Sequence, residues 1–285
     1  MITRFAPSPT GRLHLGHAYS ALLAHDRARA AGGTFLLRIE DIDTGRCRPA
    51  FVDGIFDDLA WLGLSWPEPV WHQSSRLAVY GEALDALKAR GLVYPCFCTR
   101  AEIAAEVARA ASAPHGPEGA LYPGTCRGLD RAERAARLAR GDAHAWRLDV
   151  ERARATLDGP LSWRDAEAGW VRAAPETLGD VVLARKDVAT SYHLSVTVDD
   201  AAQGVSHIVR GRDLFHATHV HRLLQALLDL PVPVYEHHPL ILGDDGRRLA
   251  KRDRSMTLAA LRDAGAAPGD IRARLGLGPP AGGAD

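Results

Sequence analysis

Two imidazoles three residues apart, His14 and His17, flank Leu15-Gly16 directly after a turn written Pro7-Ser8-Pro9-Thr10-Gly11. Both rings can donate to phosphate oxygens, and Gly16 allows a flat or phosphorylated ligand to approach the backbone. The same quartet also suits a capped surface helix with incidental histidines. A second reactive set is Cys96, Cys98 and Cys126, with Cys47 standing apart as an ordinary residue. This is not the spacing of a disulfide framework. Three thiolates and one further donor make a tetrahedral zinc site, for which His115 is the orthodox fourth ligand. A third set is charged. Glu40 in Glu40-Asp41-Ile42-Asp43 can pair with an ammonium group, and Arg247-Arg248-Leu249-Ala250-Lys251-Arg252 follows a Gly/Asp turn as a basic loop.

These groups need elements to hold them. Ile2 to Ala6 reads as a short strand, the stretch from His14 through Leu22, Leu23 and Ala28 as a helix stopped by Gly32-Gly33, and Thr34 to Ile39 as a buried strand. Together they form a β-α-β unit of the kind that builds parallel sheets. Glu40 then lies at the carboxyl end of its strand, where ligands bind in open α/β sheets. Phe51 to Leu64, Tyr80 to Leu92, Ala101 to Ala111 and Leu129 to Arg140 read as helices, and His144 to Val150 as a strand. Tyr192 to Val198 alternates as a strand would, and His207 to Gly211 and Pro239 to Leu242 read as further strands. A helix from Phe215 to Leu228 carries His216, His219 and His221, read as packing or exposed residues rather than metal ligands.

Pro7 to Gly11 followed by His14-Leu15-Gly16-His17 resembles the HIGH signature of class I aminoacyl-tRNA synthetases in its glutamyl/glutaminyl form. Arg38 to Asp43, then Tyr192-His193-Leu194 running to Val198-Asp199-Asp200, and then Arg248-Leu249-Ala250-Lys251-Arg252 as a degenerate KMSKS loop match in the same order. The resemblance implies an α/β fold: a Rossmann-type parallel-sheet catalytic domain in two halves (1–91 and 176–255), an inserted α+β module with a zinc site (92–175) that in this family contacts the tRNA acceptor end, and a short C-terminal helix and tail (256–285) with no anticodon-binding domain. It implies that His14, His17 and Lys251 are catalytic, that they and Gly16 bind ATP with its Mg²⁺, and that Arg4, Phe5, Ala6, Pro7, Ser8, Glu40, Tyr192 and Arg210 hold L-glutamate. Cys96, Cys98, Tyr122 and Cys126 resemble the zinc ligands of the short glutamyl-synthetase paralogues, one zinc per chain, which sets Tyr122 beside His115 as fourth donor.

Those paralogues activate glutamate with ATP and transfer it to queuosine in the anticodon stem-loop of tRNA(Asp). The alternatives are a synthetase fragment charging a tRNA 3′ end, or a non-catalytic paralogue binding RNA or an amino acid. Composition adds bounds. Lys+Arg and Asp+Glu number 35 each, so net charge neither proposes nor excludes nucleic acid. With 46% hydrophobic and 25% charged residues the chain has the make-up of a soluble globular protein. No apolar run suits a membrane span, which leads to the expectation of a cytoplasmic, monomeric enzyme.

Overall fold

The computed structural model of the 285-residue chain describes residues 1–109, 115–117, 119–185, 187–241 and 257–279. The N-terminal unit forms as its sequence predicts. Strand β1 (Ile2–Phe5) leads through the Pro/Gly turn to helix α1 (Leu15–Ala30), which ends at the two glycines before strand β2 (Thr34–Ile39). At Gly33 a Cβ would sit 2.0 Å from the Met1 carbonyl oxygen, so only glycine lets β2 start beside β1. The two strands pair in parallel from Ile2↔Thr34 to Phe5↔Leu37. Helix α2 (Pro49–Trp61) and strand β3 (Trp71–His72) follow, and β3 adds in parallel to the outer side of β2.

After helix α3 (Leu77–Ala89), strand β4 (Val93–Cys96) enters a smaller region. It contains helix α4 (Arg100–Arg109), the hairpin β5 (His115–Gly116) and β6 (Gly119–Ala120), helix α5 (Arg131–Ala139), strand β7 (Ala145–Leu148) and helix α6 (Val150–Ala155). A second hairpin, β8 (Ser162–Asp165) and β9 (Gly169–Arg172), precedes strand β10 (Val182–Arg185). The chain then runs through helix α7 (Tyr192–Ala202), strand β11 (His207–Gly211), helix α8 (Ala217–Leu227) and strand β12 (Val234–His238), with α9 (Leu258–Asp263) and α10 (Pro268–Arg274) last.

Two sheets, parallel apart from the β8–β9 hairpin, meet edge to edge. β11 and β12 pair in parallel from His207↔Val234 to Gly211↔His238, and β8 joins β12 in parallel at Tyr235↔Asp165. Ser206 joins this sheet to the first: its N–H donates to the Ile2 carbonyl at 3.0 Å and its carbonyl accepts from Val234 at 2.9 Å. Across the junction the strand order is β3-β2-β1-β11-β12-β8-β9. Apolar residues cover both faces. Phe35, Leu37 and Val209 pack with α1, α2, α9 and α10, while Ile208 and Leu36 pack with α3, α7 and α8, as strand alternation requires.

A separate antiparallel sheet orders β10-β7-β4. Hydrogen bonding therefore crosses residue 175 in both directions, β10 pairing back to β7 and β8 pairing forward to β12. Two expected strands differ. Tyr192–Ala202 is a helix, capped by the Ser191 hydroxyl accepting from the Leu194 N–H at 3.5 Å. The strand expected at 239–242 lies earlier, at Val234–His238, where β-branched and aromatic text pairs with β11; Leu242 is outside the described residues.

Candidate active site

β1 and β11 are neighbours, yet their connections leave in opposite directions, β1 through α1 to β2 and β11 through α8 to β12. The crevice at the carboxyl ends of such a strand pair is where open α/β sheets bind ligands. A cavity of about 670 Å³ opens there. The sequence-predicted residues Arg4, Phe5, Ala6, Pro7, Ser8, His14, Gly16, His17, Glu40, Tyr192 and Arg210 all line it. Lys251 and the rest of the basic loop lie outside the described residues. The flanks of that loop are anchored here: Ile241 lines the cavity, and Thr257 pairs with His14.

His14 caps α1. Its Nδ1 accepts from the Gly16 N–H at 3.1 Å, and the His17 Nδ1 accepts from the His14 N–H at 3.2 Å. Each ring thus carries its proton on Nε2, and the rings lie against one another, tilted by 34°, with centroids 3.8 Å apart. A Cβ on Gly16 would meet the His14 ring at 3.1 Å, so this glycine also makes room for the cap. Two imidazole N–H donors and the N-terminus of a four-turn helix converge on one cavity wall, a setting for phosphate.

Beneath the opposite wall lies a buried charge network. Arg4 donates from Nε to Asp200 Oδ1 at 3.1 Å and from Nη2 to Oδ2 at 3.3 Å. Arg38, wholly buried, donates to Asp200 at 2.8 Å, to Glu40 at 3.3 Å and to Gln203 at 2.8 Å. Asp199 accepts from Arg76 at 2.8 Å, Gln73 at 3.0 Å and Tyr80 at 2.6 Å. Burial works against the Arg38 charge, but Asp200, Glu40 and Asp199 outweigh it and hold the guanidinium above its ordinary range. Burial pushes Glu40 up, with Arg38 and Arg4 opposing.

Arg210 is different. It is 4% exposed and, among the described residues, forms no ion pair. Its Nε donates to His237 Nε2 at 3.1 Å, Nη1 to the Tyr192 hydroxyl at 3.1 Å and to His221 Nδ1 at 3.3 Å, and Nη2 to the Thr218 hydroxyl at 2.6 Å. A guanidinium only donates, so both imidazoles must present lone pairs to it. Burial, reinforced by the Arg210 charge, lowers His237 to about 3 and His221 well below the ordinary imidazole value; it also lowers His193, which touches His221 at 3.2 Å, to about 4. The result is a buried cation surrounded by neutral groups, facing a cavity. Such an arrangement suits an anion brought from outside.

The thiols gather in the smaller region. The Sγ atoms of Cys96, Cys98 and Cys126 lie within 4.8 Å of one another, and the Tyr122 hydroxyl stands 3.3 Å from Cys96 and 3.7 Å from Cys98. Zn–S bonds of about 2.3 Å in a tetrahedron place sulfurs about 3.8 Å apart, so the donor set suits zinc. The His115 side chain, the alternative donor, lies outside the described residues.

Over residues 1–277 the chain matches the family described as tRNA synthetases class I (E and Q), catalytic domain. The chain belongs to this family. It is 55% identical over 282 residues to a glutamyl-Q tRNA(Asp) synthetase of Rhodobacter capsulatus, covering 97% of this chain and 100% of that protein. A glutamyl-Q tRNA(Asp) synthetase of Symbiobacterium thermophilum is 46% identical over 282 residues, 95% of this chain and 84% of that one. Among solved structures, a glutamate tRNA ligase from Elizabethkingia meningosepticum in complex with its amino acid matches with a TM-score of 0.73 at 30% identity, over 89% of this chain and 52% of that chain. This chain therefore spans about half the length of that ligase.

Membership makes the chain an aminoacyl-tRNA synthetase-like ligase with a parallel-sheet α/β catalytic fold. No helix among the described residues is long and apolar enough to cross a membrane. Sequence reasoning about this class I synthetase missed the groups around Arg210. Asp165, Thr218 and His237 were given no role, and His221 was read as a packing or exposed residue of its helix. The available signal was a Val234–His238 strand ending in two histidines, one of which had to face inward.

Proposed function

We propose that this chain activates L-glutamate with ATP and transfers the glutamyl group to queuosine at the wobble position of tRNA(Asp). The observation that carries glutamate is the pairing of opposites across one cavity: Arg210, a buried cation with no ion pair among the described residues, and Glu40, a buried carboxylate on the same lining. An amino acid with a second carboxylate suits both, its ammonium adding to the Arg38 contact at Glu40 and an acid group meeting Arg210 and the Tyr192 hydroxyl. Arg4, already held by Asp200, adds positive potential near the second acid group, with Phe5, Ala6, Pro7 and Ser8 shaping the wall. The acceptor rests on the names of the relatives.

In this reading the glutamate α-carboxylate oxygen attacks the α-phosphorus of ATP, and the bond to the β-phosphate oxygen breaks to release pyrophosphate. His14 and His17 donate from Nε2 to phosphate oxygens, Gly16 belongs to the same wall, and Lys251 stabilises the leaving group. Mg²⁺ arrives with ATP and neutralises phosphate charge. A hydroxyl of the queuosine cyclopentene-diol then attacks the mixed anhydride carbonyl and AMP leaves. Cys96, Cys98, Cys126 and Tyr122 would hold one structural zinc. The division into a split catalytic domain (1–91 and 176–255), an insertion (92–175) and a C-terminal piece (256–285) belongs to the same proposal, with the insertion sharing sheets across residue 175. So does action as a monomer in a reducing cytosol, where four free thiols persist.

The rival reading, charging of a tRNA 3′ end, is favoured by the solved glutamate tRNA ligase neighbour. Either way, ATP–pyrophosphate exchange should depend on glutamate. Glutamine should be disfavoured by about 2–4 kcal/mol, because its amide leaves Arg210 unpaired, and Arg210→Ala should raise the glutamate KM while leaving the ATP KM unchanged. Equal exchange with glutamine would sink the glutamate assignment.

A further inference from the structure

We infer that Asp165 and His237 are positioning residues for Arg210, and that the tautomer fixed at His237 aims the guanidinium at the substrate acid group and so sets the preference for acid over amide. This rests on the glutamate reading above and adds to it two residues from β8 and β12. Asp165 is 2% exposed and His237 1%. Asp165 Oδ2 accepts from His237 Nδ1 at 2.7 Å, while Oδ1 accepts from the backbone N–H groups of Glu167 at 3.0 Å and Ala168 at 2.9 Å. With its proton on Nδ1, His237 turns a lone pair on Nε2 toward the Arg210 Nε–H at 3.1 Å. The relay runs from the turn of the β8–β9 hairpin, through an imidazole at the parallel pairing Arg210↔His237, to the cavity.

The geometry has one weak direction. Because two backbone N–H groups require an acceptor at Oδ1, Asp165→Asn must place its carbonyl oxygen there and turn its NH₂ toward His237. The imidazole is then driven to the other tautomer, and Nε2–H confronts the Arg210 Nε–H. Two donors at 3.1 Å cannot share a bond, so the guanidinium swings from its position. His221, on α8, meets Arg210 at Nη1 and Thr218 meets it at Nη2, so a displacement at Nε is not absorbed without breaking one of these.

Steady-state exchange assays on the full chain test this. Asp165→Asn should raise the glutamate KM about tenfold or more, leave the ATP KM unchanged, and narrow the glutamate-to-glutamine ratio. His237→Gln, whose amide can accept from Arg210 and donate to Asp165, should keep the glutamate KM near wild type, whereas His237→Leu should reproduce Asp165→Asn. A glutamate KM unchanged in Asp165→Asn, or one that rises together with the ATP KM, overturns the relay, the second outcome showing a purely structural role. If Arg210→Ala leaves the glutamate KM unchanged, it is the glutamate reading itself that fails. A relay failure with Arg210 still required leaves that reading standing.

Discussion

Arg4, Arg38 and Arg76 stand against Glu40, Asp199 and Asp200 beneath the cavity, so three cations meet three anions in a nearly dry volume. Such a network stabilises little when intact, but loss of one member leaves a buried charge behind. Burial works against ionisation of Asp200, yet Arg4 and Arg38 more than offset it and hold the carboxyl below its usual range. Its contribution is therefore complete above the ordinary aspartate value near pH 4 and is lost as the pH falls below it. Asp200→Asn should destabilise the chain by about 3–5 kcal/mol at neutral pH, read from urea unfolding, and the gap from wild type should shrink in acid. A neutral substitution would contradict the network. Arg210 obeys the opposite logic: among the described residues it forms no ion pair, which under the proposed function leaves its charge to the ligand.

At the scale of elements, β1, α1 and β2 were legible because each carries its own punctuation, a Pro/Gly turn before the helix and Gly32-Gly33 after it. Helix α7 was not. Residues 194–200 are all buried, polar ones included, so no exposed face marks the 3.6-residue period, while Tyr, Leu, Val and Val at alternate positions imitate a strand. The cavity-lining residues could be named from their motifs, but Asp165, Thr218, His221 and His237 could not, since they come from three elements and meet only when β8 pairs with β12. The thiol cluster was legible from spacing alone. It joins the β4 end to the turn around Cys126, with Phe97 N–H donating to Cys126 Sγ at 3.3 Å. About one zinc per chain is expected in freshly purified protein, lost in Cys126→Ser while exchange activity at the distant cavity survives. Elemental analysis finding no zinc would end that assignment.

For the whole molecule, the joined sheets gather two sets of groups around one crevice. The start of α1 brings His14, Gly16 and His17 to it, and the ends of β2 and β11 bring Glu40 and Arg210, which under the proposed function take phosphate and the amino acid respectively. Adenylate chemistry needs that juxtaposition and little more, because positioning and charge stabilisation do the catalytic work. The acceptor is the central claim. Transfer of labelled glutamate should be measured to queuosine-containing tRNA(Asp) trimmed of its 3′-terminal adenosine, and to intact tRNA(Asp) lacking queuosine. The account predicts labelling of the first and none of the second; labelling that needs the 3′ end and ignores queuosine would contradict it.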